Sequence, residues 1–223
     1  MLSNRLSSII ESYTINISSK VTQMKNSGID VINLSIGEPD FNVPDIAKDT
    51  GIESLNNNLT KYDMVAGLKI LREEIANKLS TENNCNYSSD EIVVSSGAKN
   101  SITNALLALT NPGDDVLVPK PYWVSYPEMI KLVNANPIFI NTKKENSFKV
   151  TKQNLKNNVT PNTKLLILNN PSNPTGSVYS KKELNDIVDF CLNNNIYILD
   201  DEIYERNCFN DNFTSIASIS DDV

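Results

Sequence analysis

From about Thr60 onward, short runs of β-branched and aliphatic residues alternate with longer stretches of helical period, and this alternation constrains the fold more than any other feature. Residues 91–95 (EIVVS), 115–119 (DVLVP), 138–140, 164–169 (KLLILN) and 196–200 (IYILD) read as strands, several of them apolar on both faces as buried parallel strands are. Helical segments lie between them. Residues 68–78 repeat apolar side chains at Leu68, Leu71 and Ile75, with Leu79 next in the series just beyond, and 98–109, 127–133 and 181–192 follow successive strands. Strand–helix–strand repetition of this kind predicts an α/β fold with a doubly wound, mostly parallel sheet and helices on both faces. Asn111-Pro112-Gly113-Asp114 marks one helix-to-strand turn, because proline fixes φ and glycine supplies a positive φ. The first forty or so residues differ, with one weak helical stretch at 17–26, a short apolar run at 31–34 and a turn at Gly37-Glu38-Pro39-Asp40.

Charge and composition narrow the chemistry. The 223 residues carry 27 acidic and 20 basic side chains, a formal charge of −7, which argues against nucleic acid or an anionic membrane surface as the main partner. No apolar run reaches the roughly 20 residues of a membrane span, and the first 20 residues lack the apolar centre of a signal peptide, so a cytoplasmic location is expected. Cys85, Cys191 and Cys208 are odd in number and match no ligand spacing. Histidine is absent altogether, which removes Ser-His-Asp and Cys-His catalysis and His-ligated metals. Acid–base work falls to Lys, Asp, Glu, Tyr or a cofactor.

Doubly wound sheets bind ligands outside the carboxyl ends of their strands, so the segments just after each strand carry the functional signal. Ser95-Ser96-Gly97-Ala98-Lys99 leads into a helix and offers free N–H groups, small side chains and a cation, which suits a phosphate; the alternative is an ordinary N-terminus capped by Ser96. Pro121-Tyr122-Trp123-Val124-Ser125-Tyr126-Pro127 holds the sole tryptophan, either as core packing or as a platform for a flat ligand. Two prolines bracket Asn173 in the loop 169–176, which is either a structural turn or a device for aiming one amide. Asp200-Asp201-Glu202 ends the last strand with Tyr204 just beyond, and three acids together point to a metal or to a cationic ligand group.

Together these segments resemble a family. Gly37-Glu38-Pro39-Asp40-Phe41, Lys61-Tyr62, Gly97-Ala98-Lys99, the 121–127 segment, Asn173-Pro174-Thr175-Gly176 and Asp201-Glu202-Ile203-Tyr204 occur in the order found in fold-type I pyridoxal-phosphate aminotransferases of the aspartate aminotransferase type. The resemblance spans nearly the whole chain. It implies an arm and part of a small domain over 1–43 and a large domain over 44–223 that binds pyridoxal 5'-phosphate. Gly97, Ala98 and Lys99 would then surround the phosphate, Trp123 would stack on the pyridine ring, and Asp201 would pair with the ring nitrogen, whose proton makes the ring an electron sink. Tyr204 and Asn173 would hydrogen-bond the ring's phenolic oxygen, leaving Asp201 and Tyr204 as the catalytic side chains this chain supplies. Gly37 would lie beside the substrate carboxylate, with Trp123 and Asn173 also at the substrate. Tyr62 would reach the cofactor phosphate of a neighbouring subunit, implying a homodimer. Thr14 and Lys99 match positions that contact a distal carboxylate, which favours aspartate with 2-oxoglutarate; no metal is implied.

One family residue has no counterpart. The lysine that forms the Schiff base lies beyond the equivalent of Asp201 in the family's pattern, and no lysine follows Lys182 here. The resemblance therefore implies an incomplete enzyme whose 223 residues are inactive alone, with a non-catalytic remnant lacking that lysine, a partner-binding protein, or a C–S lyase on the same scaffold as the alternatives.

Overall fold

The computed structural model describes residues 3–10, 13–35, 37–209 and 213–220. The chain divides into two compact units, one formed by Met1–Ile9 with Ala66–Val223 and the other by Ile10–Val65. The smaller unit carries α1 (Tyr13–Asn26) and α2 (Asp45–Asn56). Its α2 was not expected, because a sequence (DIAKDTGIESLN) that buries none of its residues leaves only a faint apolar stripe to read.

In the larger unit the order is α3 (Lys69–Asn83), α4 (Ala98–Leu109), β1 (Asp115–Lys120), α5 (Tyr126–Leu132), β2 (Asn136–Asn141), α6 (Lys152–Asn158), β3 (Thr163–Asn169), α7 (Lys181–Asn193) and β4 (Tyr197–Asp201). The four strands form one sheet in the order β2-β1-β3-β4, every neighbouring pair parallel, as the α/β reading requires. Register follows the apolar pattern: Leu117 lies opposite Ile138 and Leu166, and Ile167 lies opposite Leu199.

Successive side chains of a strand point to opposite faces, and both faces are covered. Val116, Val118, Leu165 and Ile167 meet Ile102 and Leu106 of α4 and Met129 and Ile130 of α5. Leu117, Leu166 and Leu168 meet Leu155 of α6 and Leu184, Ile187 and Val188 of α7 on the other side. Each such side chain removed from water contributes about 1.5–3 kcal/mol. Helix α7 starts where Ser180 and Glu183 form a reciprocal capping box, the Ser180 hydroxyl accepting from the Glu183 N–H and the Glu183 carboxylate accepting from the Ser180 N–H. Helix α6 has a similar box at Thr151 and Asn154 but only two turns and one buried residue, Leu155, too short a pattern to stand out in the sequence.

The expected strand at 91–95 is a correction. Residues 89–91 form a 3-10 turn and Ile92 onward is extended, yet no strand partner flanks it among the described residues. β-Branched composition favours an extended backbone, but a strand also needs a neighbour to complete its hydrogen bonds. Here Val94 N–H donates to the Ala66 carbonyl at 2.9 Å. Gly67 makes that approach possible, because a Cβ there would come within 2.8 Å of the Val94 Cβ and its φ is +104°. Buried Arg72 ties α3 to the same turn by donating to the Ser89 carbonyl at 2.8 Å.

Candidate active site

The chain leaves β1 toward one edge of the sheet and returns through β3 on the other side, so the topological switch lies between the carboxyl ends of β1 and β3. A cavity of about 170 Å³ opens beside it, lined by Ala98, Trp123, Tyr126, Asn169, Asn173, Asp201, Ile203 and Tyr204. The residues come from the N-terminus of α4, the loop after β1, the loop after β3 and the end of β4, more than a hundred positions apart in sequence.

Asp201 is the fixed point. It closes β4 opposite Asn169 of β3, and it is 9% exposed. Its backbone carbonyl accepts from the Asn169 side-chain amide at 2.7 Å and from the Asn170 N–H at 3.2 Å. One carboxylate oxygen accepts from the Tyr126 hydroxyl at 2.7 Å and the other from the Ile203 N–H at 3.3 Å. No cation pairs with it among the described residues, so a buried carboxylate faces the cavity with its charge uncompensated. Burial first, and the Asp201 charge second, push the Tyr126 phenol far above its usual range, so the proton stays on the phenol and the tyrosine is the donor.

The other elements build outward from this point. The Asn173 N–H donates to the Asn169 side-chain oxygen at 2.6 Å, which fixes the loop after β3 and turns the Asn173 amide toward the Tyr204 hydroxyl, 3.5 Å away. Trp123 stands edge-on to Tyr126, with ring centroids 5.4 Å apart and an interplanar angle of 84°. Lys99 places its ammonium 5.1 Å from the Trp123 ring centroid, bringing the start of α4 to the tryptophan. That start is Gly97, with φ +84° and ψ 163°, and it makes no side-chain cap bond. Ser96 does not cap α4, contrary to the simpler expectation, and the first N–H groups of the helix lack intrahelical acceptors.

Among the described residues no group of three or more His, Cys, Asp or Glu is placed to hold a metal. Asp200, Asp201 and Glu202 are consecutive on or just past a strand, and only Asp201 lines this cavity. The donor set suits a flat, phosphorylated, cationic heterocycle: an indole face, an uncompensated carboxylate, an amide and a phenol in hydrogen-bond reach of each other, and a lysine at a glycine-led helix start. Pyridoxal 5'-phosphate has each complementary feature.

Gly97, Ala98, Lys99, Trp123, Asn173, Asp201 and Tyr204 thus gather around one region of the larger unit. Gly37 and Tyr62 belong to the smaller unit, where Tyr62 is fully exposed, and the side chain of Thr14 lies outside the described residues. Sequence reasoning gave no role to Tyr126, Asn169 or Asn170. Their signal was present in the 121–127 segment and in the polar pair that ends β3, but each acts through a contact that sequence spacing does not encode.

Comparison with known proteins identifies the chain's relatives. The chain is 44% identical over 225 residues to an aspartate aminotransferase of Bacillus sp. (strain YM-2), covering all of this chain and 57% of that protein. It is 43% identical to a probable aspartate/prephenate aminotransferase of Aquifex aeolicus, again over all of this chain and 57% of the relative. Among solved structures, the aspartate aminotransferase of Thermus thermophilus with maleate superimposes with a TM-score of 0.95 at 34% identity, over 98% of this chain and 57% of that one. The aspartate aminotransferase of Thermotoga maritima gives 0.93 at 35% identity, over 98% and 58% of the respective chains. The chain therefore spans a little over half the length of the relatives it matches. Residues 29–223 match the family description "Aminotransferase class I and II", and the chain belongs to that family.

Proposed function

We propose that this chain supplies the ring- and phosphate-recognising part of a pyridoxal-phosphate-dependent aminotransferase that exchanges the amino group of aspartate with 2-oxoglutarate. The observation that carries the reading is the convergence of Trp123, Asn173, Asp201 and Tyr204 on one cavity at the strand ends. When bound, the cofactor supplies an electron-withdrawing pyridinium that accepts the electrons released as the substrate loses its α-proton. Asp201 holds the proton on the ring nitrogen, and its burial without a cation strengthens that attraction. Trp123 orients the ring by stacking, while Asn173 and Tyr204 donate toward the ring's phenolic oxygen. Gly97, Ala98 and Lys99 receive the phosphate at the start of α4.

In the same reading Gly37 adjoins the substrate carboxylate, Thr14 and Lys99 address a distal carboxylate, and Tyr62 serves the phosphate of a second subunit in a homodimer. The names of the relatives favour an acidic substrate. Residues 1–43 act as an arm and part of a small domain, and 44–223 as part of the large one. The chain works in the cytoplasm.

In this reading these 223 residues recognise the cofactor through the non-covalent contacts just named. Titration with pyridoxal phosphate, followed by quenching of Trp123, is expected to show weak saturable binding that Asp201→Ala abolishes. No transamination of aspartate with 2-oxoglutarate is expected from these residues alone. Turnover together with borohydride trapping of the cofactor on a specific lysine would overturn the assignment of roles.

A further inference from the structure

We propose that Tyr126 is the positioning residue of this site: its hydroxyl clamps one oxygen of the Asp201 carboxylate and its ring braces Trp123, so one side chain fixes both the charge and the stacking face offered to the ligand. The inference rests on the cofactor reading above and goes beyond it, since Tyr126 needs no contact with the reacting atoms.

The geometry leaves Tyr126 little freedom. Its side chain is 2% exposed, and its helix, α5, packs Met129 and Ile130 into the core against β1 and β3. The hydroxyl lies 2.7 Å from Asp201 Oδ2, across 75 positions of sequence, and the ring sits edge-on to Trp123. Among the described residues, Asp201 Oδ1 is engaged only by the longer 3.3 Å contact from the Ile203 N–H. A carboxylate held by one short and one long bond keeps a fixed plane at the cavity it lines. Without the phenol, Asp201 could rotate about its terminal torsion, which is broad for an aspartate. The charge would persist while its direction was lost. That is the difference between a preorganised partner and a merely nearby one.

Two measurements separate the clamp from the cofactor reading. The first uses no ligand: the antisymmetric carboxylate stretch of Asp201, isolated as the infrared band lost in Asp201→Asn, is expected to shift in Tyr126→Phe. An unshifted band overturns the proposal. The second compares dissociation constants for pyridoxal phosphate and its 1-deaza analogue, in which C–H replaces the ring nitrogen. The parent chain is expected to favour pyridoxal phosphate by about 10-fold or more, as a charge-assisted hydrogen bond implies. Asp201→Asn is expected to bring that ratio near unity, and Tyr126→Phe to lower it several-fold while the analogue's own affinity stays within about two-fold. If Tyr126→Phe weakens both ligands equally, Tyr126 only supports the fold and the proposal fails. If the parent ratio is already unity while the band shifts, the clamp exists but the cofactor reading fails, and the positioning role fails with it.

Discussion

Asp200 offers a sharp test of the electrostatics of this sheet edge. Both of its carboxylate oxygens are buried and neither has a hydrogen-bond partner. Burial first, and the neighbouring Glu202 charge second, raise its pKa well above the ordinary carboxylate value. The surrounding charges give no relief: Asp201 adds a further negative charge, and Lys78 is engaged by Glu205 at 2.5 Å and by Asn83 at 2.7 Å. The folded protein therefore keeps a proton that the unfolded chain releases at about pH 4. Between those two pKa values the native state binds more protons than the unfolded state, so stability falls as pH rises. For one proton the slope is about 1.4 kcal/mol per pH unit.

Asp200→Asn removes the titration while keeping the shape. The variant should match the parent within about 1 kcal/mol at pH 3.5, where both side chains are neutral, and then gain on it by about 1.4 kcal/mol per unit until the folded-state carboxyl ionises. Asp200→Leu should show the same slope with a different offset, because it also removes the unpaired polar atoms. Urea unfolding between pH 3.5 and 8, followed through the single tryptophan, Trp123, reads both quantities. A stability difference independent of pH would refute the reasoning, since it would mean that Asp200 titrates alike in the folded and unfolded states.

Two further substitutions test the framework of the cavity. Gly97 has φ +84° and ψ 163°, a region closed to side-chain-bearing residues, so Gly97→Ala should cost about 1–3 kcal/mol by urea midpoint even though nothing lies within 4 Å of the added Cβ. Asn170 is fully buried and its side-chain oxygen accepts from the buried Tyr179 N–H at 3.0 Å; Asn170→Ala strands that donor and should cost about 1–3 kcal/mol, with faster amide exchange at Tyr179.

The sheet was legible because parallel strands buried on both faces leave unmistakable apolar runs: β1, β3 and β4 fall within a residue or so of the expected 115–119, 164–169 and 196–200. Helices α4 and α7 were legible for the complementary reason, a long stripe of one period ending in turn residues. Short helices such as α6 were not, since two turns hold too few apolar positions to define a period. Residues 91–95 failed because pairing depends on what lies alongside, which propensity cannot supply. For the site, the rule that ligands sit at strand ends singled out loops whose sequence motifs meet around one cavity. The hydrogen bonds joining Tyr126 and Asn169 to Asp201 link segments 75 and 32 residues apart; the second follows from the register of β3 against β4 and the first from how α5 packs on the sheet, not from any local pattern.

Parity along β4 decides which of three adjacent acids can serve the ligand. Leu199 packs with α4 and α5, and Ile198 packs with α6 and α7, so alternate residues of the strand face opposite sides of the sheet. Asp201 shares the face of Leu199, where it meets Tyr126 and the cavity at the switch point. Asp200 shares the face of Ile198, lining a separate hollow of about 220 Å³ with Cys85 and Ser215. Glu202 lies past the strand and accepts from the Ile216 N–H at 3.2 Å, which draws it to that same side. Two neighbouring aspartates thus have opposite fates, one held by donors and presented to the cavity, the other driven to keep its proton. A slip of β4 by one residue against β3 would exchange them. The pairing of Asn169 with Asp201, closed by the Asn169 amide on the Asp201 carbonyl, fixes the register at the point where the exchange would matter most.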